Sequence, residues 1–286
     1  MRGLIVASSY GNYKVVTNQK EYNVKPRGVF RHHSIKPCVG DYVEFDEIEG
    51  VIKNVDERKN YLIRPTISNV DEIAIVMSFV EPKYSSLLIN KFISYVNYYH
   101  IKANVIITKC DRCTDSFELE NIVNNLKNMG INVFTFSKIS LQGKNEIIEQ
   151  FKNKVVVLMG QTGAGKSSLL NALVPGIKRE VGEYSKALGR GKHKTKEVVM
   201  IPFFSGYIAD TPGFSSLELP FYKEDLARCF PMFEELSKNC KYDDCLHYNA
   251  RDCAILKAVE DKLISKENYE DYLVISNELK HRKDRY

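Results

Sequence analysis

The segment Gly160-Gln161-Thr162-Gly163-Ala164-Gly165-Lys166-Ser167 constrains this chain more than any other. An apolar, β-branched run, Val155 to Met159, precedes it, and a helical run from Ser168 to Leu173 follows. Gly-x4-Gly-Lys-Ser between a buried strand and a helix is the pattern of a P-loop. The glycines let backbone N–H groups turn inward around a chain of phosphates, and the helix N-terminus adds the positive end of its dipole. Gly160 to Ser168 are therefore expected to bind a nucleoside triphosphate, with Lys166 reaching the β- and γ-phosphates and the Ser167 hydroxyl on magnesium. Such a loop requires an α/β layer with parallel strands, and the flanking sequence supplies one. Ile73 to Val80, Asn104 to Ile107 and Val133 to Phe136 read as further buried strands, and Leu87 to Tyr99, Phe117 to Met129 and Asn145 to Phe151 have helical spacing.

Downstream, Ile208-Ala209-Asp210-Thr211-Pro212-Gly213 places Asp-x-x-Gly at the end of an apolar strand. There Asp210 is expected to hold magnesium through water, and the Gly213 N–H to bond the γ-phosphate. Upstream, Thr108-Lys109-Cys110-Asp111 ends another strand. A carboxylate at Asp111 accepts from guanine N1–H and the 2-amino group together, whereas adenine has neither donor and would leave the charge unpaired. This predicts GTP rather than ATP. Ser137, after the next strand, can offer a backbone N–H to guanine O6. The base motif thus precedes the P-loop, the reverse of the order in ordinary GTPases. Since chain ends of such sheets often lie close together, a circularly permuted chain can build the same site.

The stretch Ser185 to Lys196 carries Lys186, Arg190, Lys192, Lys194 and Lys196 and no acid. As a switch loop it needs a threonine for magnesium and γ-phosphate, and Thr195 is the candidate; as a basic loop it suits a phosphodiester backbone. Phe214 stands just after Asp-x-x-Gly, where many GTPases carry a water-orienting Gln, and an apolar side chain cannot orient water. His193 is the nearest group able to move a proton near neutral pH. The alternatives are that a partner completes the site or that His193 only contacts that partner.

Two further regions flank this core. Leu4 to Val6, Tyr13 to Val16, Glu21 to Val24, Asp41 to Phe45 and Val51 to Val55 are short alternating runs that suggest a small closed barrel, with Arg58 to Pro65 as a joint. Lys25, Arg27, Arg31, His32, His33 and Lys36 cluster around Phe30, which fits either a nucleic-acid surface or a solvated loop. From Lys223 onward the pattern is helical, interrupted by Cys240, Cys245, His247 and Cys253, three thiols and an imidazole within 14 residues. This is the ligand set of a closed, structural zinc site, with Arg251 to Ile264 and Lys266 to Lys280 expected as helices around it. The expected domains are 1–64, 65–221 and 222–286. A net charge of +5 is compatible with RNA without proving it. No apolar run approaches the roughly 20 residues of a membrane helix, the start does not read as a signal sequence, and the cysteine pattern suits a reducing compartment. The expectation is a cytoplasmic protein with no membrane association, monomeric by default.

These residues resemble the RsgA (YjeQ) family of circularly permuted GTPases. The resemblance is carried by Lys25-Pro26-Arg27-Gly28 and Val39-Gly40-Asp41, the permuted motifs, Gly189-Arg190-Gly191-Lys192-His193, Asp210-Thr211-Pro212-Gly213-Phe214, and the spacing of Cys240, Cys245, His247 and Cys253. It implies an N-terminal OB-fold β-barrel, a central GTPase domain and a C-terminal α-helical zinc-binding domain. It also implies GTP hydrolysis to GDP and phosphate, stimulated by the small ribosomal subunit during its late maturation, with rRNA contacts and with the switch histidine, His193, as the catalytic residue beside Lys166 and Thr195. Two positions depart from the pattern. Thr108 stands where Asn is usual, and Lys194 and Lys196 leave Thr195 as the sole switch threonine. The alternative reading is a GTP-dependent rRNA-binding scaffold with negligible hydrolysis.

Overall fold

The computed structural model describes residues 1–9, 11–18, 20–27, 36–175, 198–211 and 217–280. Gly28, Phe30, Arg31, His32, His33, the segment holding Lys186, Arg190, His193 and Thr195, Gly213 with Phe214, and the chain after Lys280 lie outside the described residues. The strands are β1 (Arg2–Ser9), β2 (Asn12–Thr17), β3 (Lys20–Pro26), β4 (Tyr42–Asp46), β5 (Val51–Val55), β6 (Tyr61–Leu62), β7 (Ile67–Ser68), β8 (Glu72–Ser78), β9 (Lys102–Thr108), β10 (Asn132–Phe136), β11 (Val155–Met159), β12 (Val199–Phe203) and β13 (Gly206–Asp210). The helices are α1 (Ser86–Tyr98), α2 (Ser116–Asn128), α3 (Lys144–Phe151), α4 (Lys166–Leu173), α5 (Lys223–Cys229), α6 (Phe233–Leu236), α7 (Ala254–Glu260) and α8 (Lys266–Lys280).

The chain forms two compact units, and neither is continuous in sequence. One comprises Met1–Ala74, Lys138–Met159 and Gly165–Gly213; the other comprises Ile75–Ser137, Gly160–Ala164 and Phe214–Tyr286.

In the first unit the strand order is β11-β13-β12-β1-β2-β3-β5-β4, and β4 also pairs with β1. That extra pairing closes strands β1 to β5 into a barrel, with β3 and β5 parallel (Lys25 opposite Val51) and the other pairs antiparallel. Five strands closed in this order are the OB arrangement. Alternation dictates what fills it: Leu4, Val15, Val24, Val43, Phe45 and Ile52 point inward and are buried. β11 and β13 are parallel, as expected. β12 was not foreseen, because Pro202 interrupts its apolar run; it pairs antiparallel with β13 and, through Val199, with Ala7 of β1. Pro202 is tolerated as an exposed residue there. The stretch expected as a joint after the barrel contains a small hairpin, Tyr61 and Leu62 against Ile67 and Ser68.

Asp41 pins that hairpin to the barrel. Its carboxylate is fully buried and accepts from Arg58 Nε (2.7 Å) and Nη2 (2.8 Å), from Ser68 Oγ (2.5 Å) and from the Cys38 N–H (2.8 Å). Arg58 also donates to the Lys36 carbonyl at 2.7 Å. Breaking a buried ion pair from one side leaves the other charge uncompensated. Asp41→Ala is expected to cost about 3–5 kcal/mol, read as a lower urea midpoint at unchanged slope; a loss under 1 kcal/mol would mean that Arg58 finds water instead.

In the second unit β10, β9 and β8 lie side by side, with β10 and β9 parallel from Asn132 opposite Asn104 to Phe136 opposite Thr108. Ser85 caps α1 by accepting from the Leu88 N–H (3.3 Å), and Ile89, Phe92, Ile93 and Val96 form its buried stripe. Asp115 caps α2 from Oδ1, accepting from the N–H groups of Phe117 and Glu118. The C-terminal helices gather on Phe230, Phe233 and Tyr272, all fully buried. In the tract 251–264 the helix is confined to α7. No helix among the described residues is long and apolar enough to cross a membrane.

Candidate nucleotide site and metal cluster

The second unit holds the first half of the phosphate loop and the base motif. Gly160 has φ +143°, and a Cβ there would run into the Val76 carbonyl oxygen, so a glycine is required on both counts. Thr108, buried at the end of β9, aims its hydroxyl at the Ala164 carbonyl (2.6 Å) and at the Met77 carbonyl (3.2 Å). One hydroxyl proton serves one acceptor at a time, and the shorter contact is to the loop. Thr108 thus ties the base motif to the phosphate loop across 56 residues of sequence. Lys109, in the left-handed region at φ 61°, reinforces the tie by donating Nζ to the Gly163 carbonyl (3.0 Å) and to the Glu81 carbonyl. Asp111 follows in a 3-10 turn, Cys110–Arg112, with its carboxylate exposed to solvent. Ser137 is buried at the end of β10.

The first unit contains Gly165 to Ser168, Asp210 and Thr211. Gly165, at φ +95°, starts α4, and Lys166 and Ser167 occupy its first turn, with Ser167 exposed and Lys166 buried. Burial lowers the Lys166 pKa, and Asp210 partly offsets this by favouring the ammonium. Burial likewise raises the Asp210 carboxyl, with Lys166 and a backbone N–H at Thr211 opposing the rise. Each charge is the other's compensation where water is scarce. Sequence reasoning missed the part played by Thr211: its buried hydroxyl donates to the Leu158 carbonyl at 2.7 Å, fastening the end of β13 to β11 just before the phosphate loop. Its place inside Asp-x-x-Gly was the available signal.

The second unit also contains the cluster of Cys240, Cys245, His247 and Cys253, whose ligand atoms all lie within 4.8 Å of one another. Zn–S bonds of about 2.3 Å and Zn–N bonds of about 2.05 Å at tetrahedral angles require S···S near 3.8 Å and S···N near 3.6 Å. Cys240 Sγ lies 3.9 Å from Cys253 Sγ, and His247 Nδ1 lies 3.6 and 3.5 Å from those two sulfurs. The set therefore fits a tetrahedral divalent metal. The opposite ring nitrogen, Nε2, is 2.9 Å from the Ala227 carbonyl, so Nε2 carries the proton and Nδ1 is left to ligate. Burial lowers the His247 pKa and so favours the neutral ring that a metal needs. Tyr269 and Tyr272 of α8 donate to the carbonyls of His247 (2.8 Å) and Leu246 (2.6 Å), joining the last helix to the ligand loop.

A strand-borne phosphate loop tied to an upstream Thr-Lys-x-Asp turn defines a P-loop nucleotide-binding protein with permuted motif order. Comparison with known proteins gives the same class. The model of the RsgA GTPase family matches residues 55–220, and that of the RsgA N-terminal domain matches residues 2–52. The chain is 40% identical over 290 residues to the small ribosomal subunit biogenesis GTPase RsgA of Geobacillus sp., covering 99% of both, and 38% identical over 295 residues to that of Bacillus subtilis, also covering 99% of both. Among solved structures it resembles YloQ, described as a circularly permuted GTPase (TM-score 0.81, 35% identity, 100% of this chain and 96% of that one). It also resembles YjeQ from Thermotoga maritima (TM-score 0.83, 30% identity, 99% of both). The chain belongs to the RsgA GTPase family. It is a circularly permuted GTP hydrolase, preceded by an OB-like barrel and followed by a segment with a Cys3His cluster.

Proposed function

We propose that this chain hydrolyses GTP in the service of small-ribosomal-subunit maturation, with residues 1–64 as an RNA-binding barrel, 65–221 as the switchable GTPase and 222–286 as a zinc-stapled helical domain. The names borne by its relatives support the biological setting, and cytoplasmic assembly of small subunits is where it would act. The observation that carries the nucleotide reading is the bond from Thr108 to Ala164. It brings a guanine-reading turn and a phosphate cradle together although they stand in reversed order along the chain.

In this reading Gly160, Gln161, Thr162, Gly163, Ala164, Gly165 and Ser168 wrap the phosphates with backbone N–H groups, and Lys166 neutralises the bridging and terminal oxygens. Ser167, Thr195 and, through water, Asp210 hold magnesium, which supplies charge stabilisation of the transferred phosphoryl group. The pairing of buried Lys166 with Asp210 supports this assignment, since each needs a polar partner before the ligand arrives. Gly213 bonds the γ-phosphate, and His193 orients or deprotonates the attacking water once rRNA is bound. The metal held by Cys240, Cys245, His247 and Cys253 is zinc in a structural role, because four protein ligands leave no position for water.

Base selection tests the reading directly. Asp111 accepts two hydrogen bonds from guanine; Asn in its place presents one acceptor and one N–H group. Asp111→Asn is expected to weaken GDP binding by at least a hundredfold, about 3 kcal/mol for two charge-assisted bonds, and to favour xanthosine diphosphate, whose 2-oxo group accepts. Competition titration with GDP, ADP and xanthosine diphosphate measures this, and undiminished preference for GDP would remove Asp111 from the base site.

A further inference from the structure

Two cysteines bracket Asp111 in the sequence Cys110-Asp111-Arg112-Cys113, and they form the two ends of one turn, the Cys113 N–H bonding the Cys110 carbonyl at 3.1 Å. The other five thiols are accounted for elsewhere: Cys38 and Cys229 are buried in the cores, and Cys240, Cys245 and Cys253 belong to the metal cluster. Cys110 and Cys113 are each half-buried and free. Their sulfurs point to different backbone acceptors, Cys110 Sγ to the Ile107 carbonyl (3.2 Å) and Cys113 Sγ to the Asp115 carbonyl (3.1 Å). The ends of such a turn have Cα atoms closer than about 7 Å, which overlaps the range of about 4.4–6.8 Å that a disulfide bridges.

We propose that Cys110 and Cys113 are a reversible oxidation site whose disulfide switches off guanine-nucleotide binding, an inference that rests on Asp111 reading the base. The ring closed by the disulfide contains the backbone of Asp111 and Arg112. To close it, both sulfurs must leave the carbonyls they now face, and the fixed Cβ–S–S–Cβ geometry then constrains the backbone of the turn on both sides of Asp111. That turn is held in its present setting by Lys109 on the Gly163 carbonyl and by Arg112 Nη1 on Glu81 Oε2 (3.1 Å). Two parallel bonds to one base edge tolerate little rotation of the carboxylate.

The oxidant is a low-molecular-weight disulfide. Cys113 loses its proton and attacks one of its sulfurs, expelling one small thiol and leaving a mixed disulfide. Cys110 then loses its proton and attacks the Cys113 sulfur, releasing the second small thiol. Two protein thiols are oxidised by two electrons, and one small disulfide is reduced to two thiols that take up the two protons. Burial pushes the Cys110 thiol up to about 11, so it is a poor nucleophile toward an external disulfide and attacks only once the mixed disulfide formed beside it raises the local sulfur concentration. Cysteine pairs in reducing compartments that form disulfides do so transiently, as sensors.

The effect must be reciprocal: if oxidation weakens GDP binding tenfold, saturating GDP disfavours oxidation tenfold, a shift of about 30 mV. The test treats the full-length, metal-loaded chain with oxidised glutathione, locates disulfides by peptide mass mapping, and titrates fluorescent GDP against reduced and oxidised protein. The expected result is a Cys110–Cys113 disulfide, GDP affinity lowered at least tenfold and restored by dithiothreitol, and indifference to oxidant in Cys113→Ser and in Cys110→Ser. No disulfide between these residues, or a disulfide with unchanged affinity, overturns the proposal. Reduced Asp111→Asn separates this from the base assignment. If it loses guanine preference while oxidation changes nothing, only the switch fails; if it keeps that preference, the base assignment fails and the switch with it.

Discussion

Lys166→Ala is expected to bind GTP two to four powers of ten more weakly than the wild type and to show no measurable turnover. The ammonium is buried in the first turn of α4, which Gly165 opens in the left-handed region. In the proposed site it would supply two charge-assisted hydrogen bonds to phosphate oxygens, each worth about 1.5–3 kcal/mol, and every 1.4 kcal/mol is tenfold in affinity. The same substitution removes the positive charge that favours the carboxylate form of Asp210 against the effect of burial. The ligand-free variant should therefore take up a proton at Asp210 more readily and lose magnesium dependence along with nucleotide. Isothermal titration with GTP at fixed magnesium, with circular dichroism to verify the fold, measures both. Wild-type affinity in a folded Lys166→Ala protein would place the triphosphate elsewhere.

Removal of the metal is expected to be the second large effect. Structural zinc in small domains is worth about 10–16 kcal/mol of apparent binding free energy, and here the ligand loop anchors α8 through Tyr269 and Tyr272 and anchors α5 through His247 on the Ala227 carbonyl. Without it, Cys240, Cys253 and His247 would remain crowded within 4 Å of one another with nothing between them. Cys245→Ser should reduce zinc from one per chain to a small fraction, abolish amide protection in α7 and α8, and leave the barrel strands protected. Cys229→Ala, outside the cluster, should keep its metal. Elemental analysis with hydrogen exchange decides, and a metal-free protein with full protection in α8 would make the cluster ornamental to folding.

Much of this architecture was legible because the relevant signals were local. A P-loop needs its strand before it and its helix after it, and Val155–Met159 and Lys166–Leu173 take those forms. β4 alternates exposed and buried residues, the apolar runs of β1 and β2 are short and bounded by turns, and the four candidate metal ligands stand within 14 residues. What escaped reading depended on partners distant in sequence. β12 contains Pro202, and its role becomes visible only with its neighbours β13 and β1 in place. The hairpin after the barrel has two residues per strand, too few for periodicity, and is held by Asp41 and Ser68 from 27 residues apart. Thr108 stands where Asn is usual, and only the fold shows that its hydroxyl makes a loop-tying bond, with the Ala164 carbonyl 2.6 Å away. His193, Thr195 and Gly213 lie outside the described residues, so their assignment rests on the motif and on the family.

The measurement that bears most directly on the account is GTP hydrolysis by the purified chain alone, with small ribosomal subunits and with large subunits, each for the wild type and for His193→Ala. The account predicts slow turnover alone, because Phe214 cannot orient water and His193 awaits its partner. It predicts a rise of at least tenfold with small subunits only, and loss of that rise, with GTP binding intact, in His193→Ala. Equal rates with and without small subunits, or full stimulation of His193→Ala, would contradict it.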